Sequence, residues 1–161
     1  MPTILLTRGL VATVDAIDFE RLDALGRWHA QVKGRNSYAR IDLFGQGSHR
    51  RVFMHSMITG WPMVDHRNGD GLDNRRQNLR PATYSQNSAN RGMQSNNQSG
   101  FKGVTRTPWG RWKAQIRKDG RDFYLGVFAE PEVAARAYDV AALDLFGEFA
   151  WTNFVPEDSP A

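Results

Sequence analysis

Asp65-His66-Arg67-Asn68-Gly69-Asp70-Gly71-Leu72-Asp73-Asn74-Arg75-Arg76-Gln77-Asn78-Leu79-Arg80 is the stretch on which the reading of this chain turns, and it runs on through Thr83 to Asn87. A carboxylate precedes a histidine, a polar loop punctuated by glycine follows, and asparagines recur beyond it. Cutting a phosphodiester needs a hard cation on the phosphate oxygens, a base to activate water and positive charge to hold the backbone. All three residue types stand here together. An ordinary turn accounts for part of the pattern, because glycine supplies φ > 0 and Asn and Asp bond their own backbone. Asp70 and Gly71 are read as turn residues, Asp73 and Asn74 as ties within the loop, and Leu79 as core. Arg75, Arg76 and Arg80 suit phosphate contacts and a solvated face equally. A turn does not explain Asp65, His66, Asn78 and Asn87 together.

The chain has 161 residues, four histidines, no cysteine and a net charge of +4. That length suits one medium domain or two small ones. Without cysteine there are no disulfides and no thiolate zinc sites. The histidines His29, His49, His55 and His66 lack zinc-ligand spacing. No apolar run is long enough to cross a bilayer, and Thr7-Arg8 interrupts Leu5-Leu6, so neither a membrane span nor a signal peptide is expected. These features suggest a protein of a reducing cytoplasm. His55 reads either as a phosphate contact or as a hydrogen-bonding group within the fold, and stays outside the catalytic set.

Residues 1–60 alternate like short strands at 9–15, 28–32 and 38–43, with a short helix expected over 18–25 on Phe19, Leu22 and Leu25. Trp28, Phe53 and Trp61 are expected in the core. Residues 92–99 are polar and rich in Gln, Asn and Ser, and read as a linker. Beyond it, Trp112-Lys113-Ala114-Gln115-Ile116-Arg117 alternates strictly, giving one apolar and one charged face. Phe123–Phe128 continues the pattern after a Lys118-Asp119-Gly120-Arg121 turn, and 101–106 supplies a third strand. Pro131 through Phe146 follows as a helix, with Pro131 in its first turn, Glu132 near its N-terminus and Gly147 ending it. Its expected inward stripe is Ala134, Ala137 and Ala141 with Val133, Val140 and Leu145. Such a helix covers one sheet face and leaves the basic face open. Residues 101–121 carry seven Lys and Arg against Asp119 alone, whereas 130–148 are acidic.

The segment from Met54-His55 to Asn87 resembles the HNH (His-Me finger) endonucleases of phages and introns. That resemblance implies a ββα-metal module. It makes His66 the general base, Asp65 and Asn87 the ligands of one divalent cation, Mg²⁺ or Mn²⁺, and Asn78 the residue that orders the loop and orients the histidine. It also implies products with 5′-phosphate and 3′-hydroxyl ends.

A second resemblance rests on Gly100-Phe101-Lys102-Gly103-Val104, Trp109-Gly110-Arg111-Trp112-Lys113-Ala114-Gln115-Ile116, Leu125-Gly126-Val127-Phe128, the 132–139 run Glu-Val-Ala-Ala-Arg-Ala-Tyr-Asp, and Asn153-Phe154. These resemble the AP2/ERF DNA-binding domain, whose sheet lies in the major groove. Lys102, Trp109, Arg111, Gln115 and Arg117 match its contact positions. Arg106 and Lys113 join them on the same strands, with Arg75, Arg76 and Arg80 as further candidates. Thr105 and Thr107 stand where the plant domains have arginine, so no target sequence carries over.

The expected fold is α+β: a ββα-metal nuclease module followed by a three-stranded antiparallel sheet packed on one helix. The expected organisation is 1–60 packed on the module, 61–91 the motif, 92–99 the linker, 100–155 the AP2-like domain and 156–161 a tail. The expected function is a metal-dependent, nicking, homing-type DNA endonuclease acting on double-stranded DNA as a monomer or weak dimer. The alternative is a DNA-binding regulator with an inactive nuclease module.

Overall fold

A computed structural model describes residues 1–34, 36–45 and 47–155; the 156–161 tail lies outside them. The fold is α+β with antiparallel sheets, divided into two compact units, Met1–Ala82 and Thr83–Ala161.

In the first unit, β1 (Thr3–Leu5) pairs with β2 (Val11–Thr13), and α1 (Ala16–Asp23) follows. β3 (His29–Lys33), β4 (Asn36–Gly45) and β5 (Ser48–Phe53) form an antiparallel sheet in sequence order. α2 (Met54–Thr59) leads to β6 (Val64–His66), which pairs with β7 (Leu79–Pro81). One core joins these pieces: Ile4, Leu6, Val14, Leu22, Trp28, Ile41, Met54, Val64 and Leu79 are all buried together. Trp28 is wholly buried and its indole N–H donates to the Leu22 carbonyl at 2.8 Å. The expected helix is present but ends sooner, and Leu25 lies outside it, 41% exposed. Phe53 is only half-buried and Trp61 is 37% exposed, so neither joins the core as expected. β5 has no alternation to betray it, because its first four residues are all exposed at the sheet edge.

The second unit begins with α3 (Tyr84–Asn90), closed by a capping box in which Thr83 and Gln86 exchange hydrogen bonds at 3.2 and 2.8 Å. No helix or strand occurs in 92–99. β8 (Val104–Arg106), β9 (Trp112–Lys118) and β10 (Arg121–Phe128) then form a meander in the order β10-β9-β8, with a bulge between Tyr124 and Gly126. β8 is shorter than expected because residues 101–103 turn. Gly103 has φ +77, and a Cβ there would lie 2.0 Å from the Tyr138 ring.

α4 (Pro131–Phe146) covers one face of this sheet with the expected bounds but a different stripe. Ala134, Tyr138, Ala142 and Phe146 are buried as an i, i+4 row, joined by Ala135 and Asp139. Val133 and Val140 are instead 46% and 70% exposed. The two large rings set the rotation, since only that face places Tyr138 over Gly103 and Phe146 beneath the Lys118 ammonium. Asp139 earns its burial by accepting from the backbone N–H groups of Asn153 and Phe154 at 2.8 and 2.9 Å. The Asn153 side chain in turn accepts from the Lys102 N–H at 2.6 Å.

The rotation of α4 is directly testable by charge insertion. Val140→Glu should change unfolding free energy by no more than about 0.5 kcal/mol, whereas Ala142→Glu should cost more than about 3 kcal/mol by burying an unpaired charge. Urea denaturation read by tryptophan fluorescence checks the order of the two.

Candidate active site and nucleic-acid interface

β6 and β7 place Asp65 opposite Arg80 and His66 opposite Leu79. All four side chains are buried. Arg80 Nε donates to Asp65 Oδ2 at 2.8 Å, and the two charges form an ion pair, with Nη2 2.7 Å from the same oxygen. The intervening loop is cross-linked by amides. Asn78 Nδ2 donates to Asn68 Oδ1 at 3.0 Å and to the Asp73 carbonyl at 2.8 Å, while its Oδ1 accepts from the Asn68 N–H at 3.1 Å. Asn68 Nδ2 reaches Asp73 Oδ2 at 2.9 Å, and Asp70 Oδ1 accepts from the Leu72 N–H at 2.9 Å. β2 braces the same loop, with Thr13 N–H bonded to the Leu72 carbonyl and Asn74 N–H to the Thr13 carbonyl. Gly71 does more than turn: a Cβ there would meet the Ser37 carbonyl and the Tyr38 ring, each at 2.5 Å.

That close approach brings Tyr38 over the histidine, with ring centres 5.9 Å apart. His55 lies 5.1 Å from His66, edge to face, and stacks on Phe53 at 5.2 Å. Burial lowers the His66 pKa, against an Asn74 hydrogen bond and the charges of Asp65, Asp70 and Asp73, which raise it. A neutral imidazole is the form that accepts a proton. His55 is pushed down to about 3 by burial and then by His66, and its Nδ1 is buried with no hydrogen-bond partner. Sequence reasoning left His55 aside and did not find Tyr38, for neither position carries a motif that announces a wall around His66.

The three arginines around the motif are occupied within the unit. Arg75 forks onto Asp73, with Nε at 2.7 Å. Arg76 binds the buried Asp18 carboxylate at 2.7 and 2.9 Å, and Arg80 binds Asp65 as described. Arg76 is the chief cause of the lowered Asp18 pKa, and Arg75 does the same for Asp73. Asn87 belongs to the second unit, on α3. Among the described residues no cluster of three or more His, Cys, Asp or Glu side chains is set to hold a metal.

In the second unit the open sheet face is basic and aromatic. Thr105 pairs with Lys113, Gln115 with Tyr124, and Arg117 with Asp122, so these six share the side away from α4. Arg117 and Asp122 form a loose, exposed ion pair at 3.8 Å. Trp109 is 85% exposed at the β8–β9 turn, beside the exposed Arg111. Arg106, expected as a contact, is exposed but pairs with Trp112 on the α4 side of the sheet, its guanidinium 5.9 Å from the Trp112 ring centre, so strand alternation turns it away from the open face. Tyr124, 67% exposed, was missed; its alternation with Phe123 along β10 was the available signal. Lys102 stands apart from this face. Its ammonium donates to the Ala89 and Arg91 carbonyls and lies 5.6 Å from the Trp151 ring, and burial lowers its pKa to about 8.

Comparison with known proteins gives two matches of different extent. Residues 99–148 match the AP2 domain model. Ethylene-responsive transcription factor ERF084 of Arabidopsis thaliana is 57% identical over 58 residues, 35% of this chain and 23% of that protein. A rice AP2/ERF and B3 domain-containing protein, Os01g0141000, is 54% identical over 56 residues, 35% of this chain and 15% of its own length. The Uncharacterized HNH endonuclease L560 of Acanthamoeba polyphaga mimivirus is 39% identical over 124 residues, 74% of this chain and 64% of that protein. The chain thus spans less than two thirds of each relative. No described helix is long and apolar enough to cross a membrane.

The buried histidine pair predicts acid sensitivity of the first unit. Unfolded His55 takes up a proton as pH falls through 6.5, whereas folded His55 does so only near 3. Its contribution is therefore complete above about pH 6.5 and is lost progressively below, with a slope of up to ~1.4 kcal/mol per pH unit. His55→Phe should flatten that decline in denaturation series between about pH 4 and 7. An unchanged slope contradicts the assignment.

Proposed function

We propose that the chain is a DNA endonuclease of the HNH type, with residues 99–148 as its DNA-binding domain and the β6–β7 hairpin as its catalytic element. The observation that carries this reading is the Asp65-His66 pair. Asp65 is fixed by Arg80 and His66 is buried and driven toward its neutral form, on a hairpin whose loop Asn78 ties at both ends. The likeness to the mimivirus protein named as an HNH endonuclease supports it, because that match extends well beyond the AP2 region.

The roles follow from the chemistry of the side chains. His66 takes the proton of the attacking water, as a neutral imidazole can. Asp65 would be the hairpin's oxygen ligand for the cation; Asn87, the other ligand that the family resemblance implies, belongs to the second unit. Such hard donors suit Mg²⁺ or Mn²⁺, and Mg²⁺ characteristically binds through one or two carboxylates plus substrate phosphates rather than in an all-protein cage. When bound, the cation supplies charge stabilisation at the phosphate and leaving oxygen. Asn78 acts by holding the loop. The open sheet binds double-stranded DNA, with Trp109, Arg111, Lys113, Gln115, Arg117 and Tyr124 as contacts. Lys102, Arg75, Arg76 and Arg80 serve that surface and the hairpin from within, through the carbonyls and carboxylates they already hold. A single such site per chain cuts one strand, so nicking is the expected outcome.

One observation favours a second reading, a DNA-binding regulator. The domain match is confined to the second unit, and the arginines beside the motif point into the fold. Cleavage decides between the two.

Supercoiled plasmid incubated with the protein and Mg²⁺ should be nicked, and excess EDTA should abolish nicking. His66→Ala should lower the single-turnover rate by ~10²–10⁴ while leaving DNA affinity within about two-fold. A rate within a few-fold of wild type removes His66 from catalysis, and the absence of any cleavage favours the regulator.

The sheet surface makes a separate prediction about salt. Arg111→Ser with Arg117→Ser should weaken duplex binding and reduce the slope of log K against log salt by about two, one for each phosphate contact removed. Titrations at several salt concentrations read the slope, and an unaltered slope excludes both side chains from the DNA surface.

A further inference from the structure

We infer that the groove beside β5 in the first unit binds one unstacked nucleotide of a nucleic-acid strand. The groove encloses about 510 Å³, within the range of small-molecule sites. Arg50, Leu43 and Val52 share the strand face toward it, Trp61 supplies an aromatic surface, and none of its lining residues is acidic. Arg50 is exposed, whereas Arg51, also at the groove, sends its side chain to the opposite face of β5, where it touches Asp42 at 3.4 Å. The Arg50 charge selects an anion, and the flat apolar wall selects a planar body beside it. A nucleotide carries both in one ligand, its phosphate for the Arg50 guanidinium and its base for the Trp61 ring.

Location strengthens the assignment. Phe53 lines the groove and also stacks on His55 with an interplanar angle of 7°. His55 in turn meets His66. Phe53 is therefore a wall common to the groove and to the histidine cluster. Bases in a duplex are stacked on their neighbours, so a base reaches such a groove only from a single strand or by leaving the stack. The choice of nucleic acid over another anionic ligand rests on the nuclease reading, but binding here needs no chemistry.

The test is fluorescence anisotropy with the full chain in EDTA, so that nothing is cut, using a labelled ten-residue oligothymidylate and a labelled duplex. Trp61→Ala, and separately Arg50→Ser, should each weaken the single strand about five-fold or more, and Trp61→Phe should recover most of the loss. Arg111→Ser with Arg117→Ser should weaken the duplex and leave the single strand within two-fold. Circular-dichroism melting establishes that each variant is folded, and Arg50→Gln, at an exposed position, replaces any that is not. Single-strand affinity unchanged in folded groove variants overturns the proposal. So does displacement of the oligothymidylate by polyglutamate at the same charge concentration, which marks an acidic-peptide site instead. Failure to cleave DNA with groove binding intact would sink the nuclease reading and leave this site standing.

Discussion

The ion pair between Asp65 and Arg80 is the constraint on which the first unit's hairpin depends. Both side chains are 4% exposed and meet through one hydrogen bond and a close ion pair on the same oxygen. Desolvating two charges is costly, and such a pair is often no more stabilising than a well-packed apolar one. Its value lies in what it fixes. The pair spans β6 and β7 at one register position, so a slip by one residue would separate it and turn His66 to the other face. Losing either partner would strand a buried charge, which typically costs ~3–5 kcal/mol. The register, and with it the aim of the histidine, is held by electrostatics where three-residue strands offer little else.

Arginine serves two ends in this chain. In the first unit Arg75, Arg76 and Arg80 neutralise Asp73, Asp18 and Asp65, and Arg76 joins α1 to the end of the loop. Basic residues crowded around the Asp65-His66 pair are thus not a measure of phosphate contacts. In the second unit Lys113 and Arg117 stand on the open sheet with Arg111 beside it, and Lys118 has crossed to the other face to cap α4 through the Leu145 carbonyl. Parity along a strand separates these cases in sequence; a loop has no parity to consult.

That contrast explains how much was legible beforehand. α4 was bounded correctly because proline, acidic residues and glycine mark its ends, yet its rotation was not, since the alanines spread over nearly half of its circumference and merge on one side with the exposed Val133 and Val140. β9 and β10 followed from alternation, whereas β5 and α2 did not, being an exposed edge and a helix of six residues. The Asp65-His66 pair and the Asn78 loop were visible as a motif. The aromatic surroundings of His66 were not, because Tyr38, Phe53 and His55 reach it only through the pairing of β4 with β5 and the close pass of Gly71. Contacts between distant segments leave no local trace.

The bond between Asp18 and Arg76 joins residues 58 apart. Leu79, near the end of that unit, completes a core begun by Ile4. The second sheet, by contrast, is made of consecutive hairpins with only short closures. Closing long loops delays folding more than closing short ones. On the ribosome the N-terminal strands must therefore wait, their apolar faces uncovered, until residues 76–81 have emerged. The β6–β7 hairpin is the last part of its unit to be synthesised and the part that closes the core. A chain interrupted before it would be left with an unsealed core, and would be a natural client for chaperones or proteolysis.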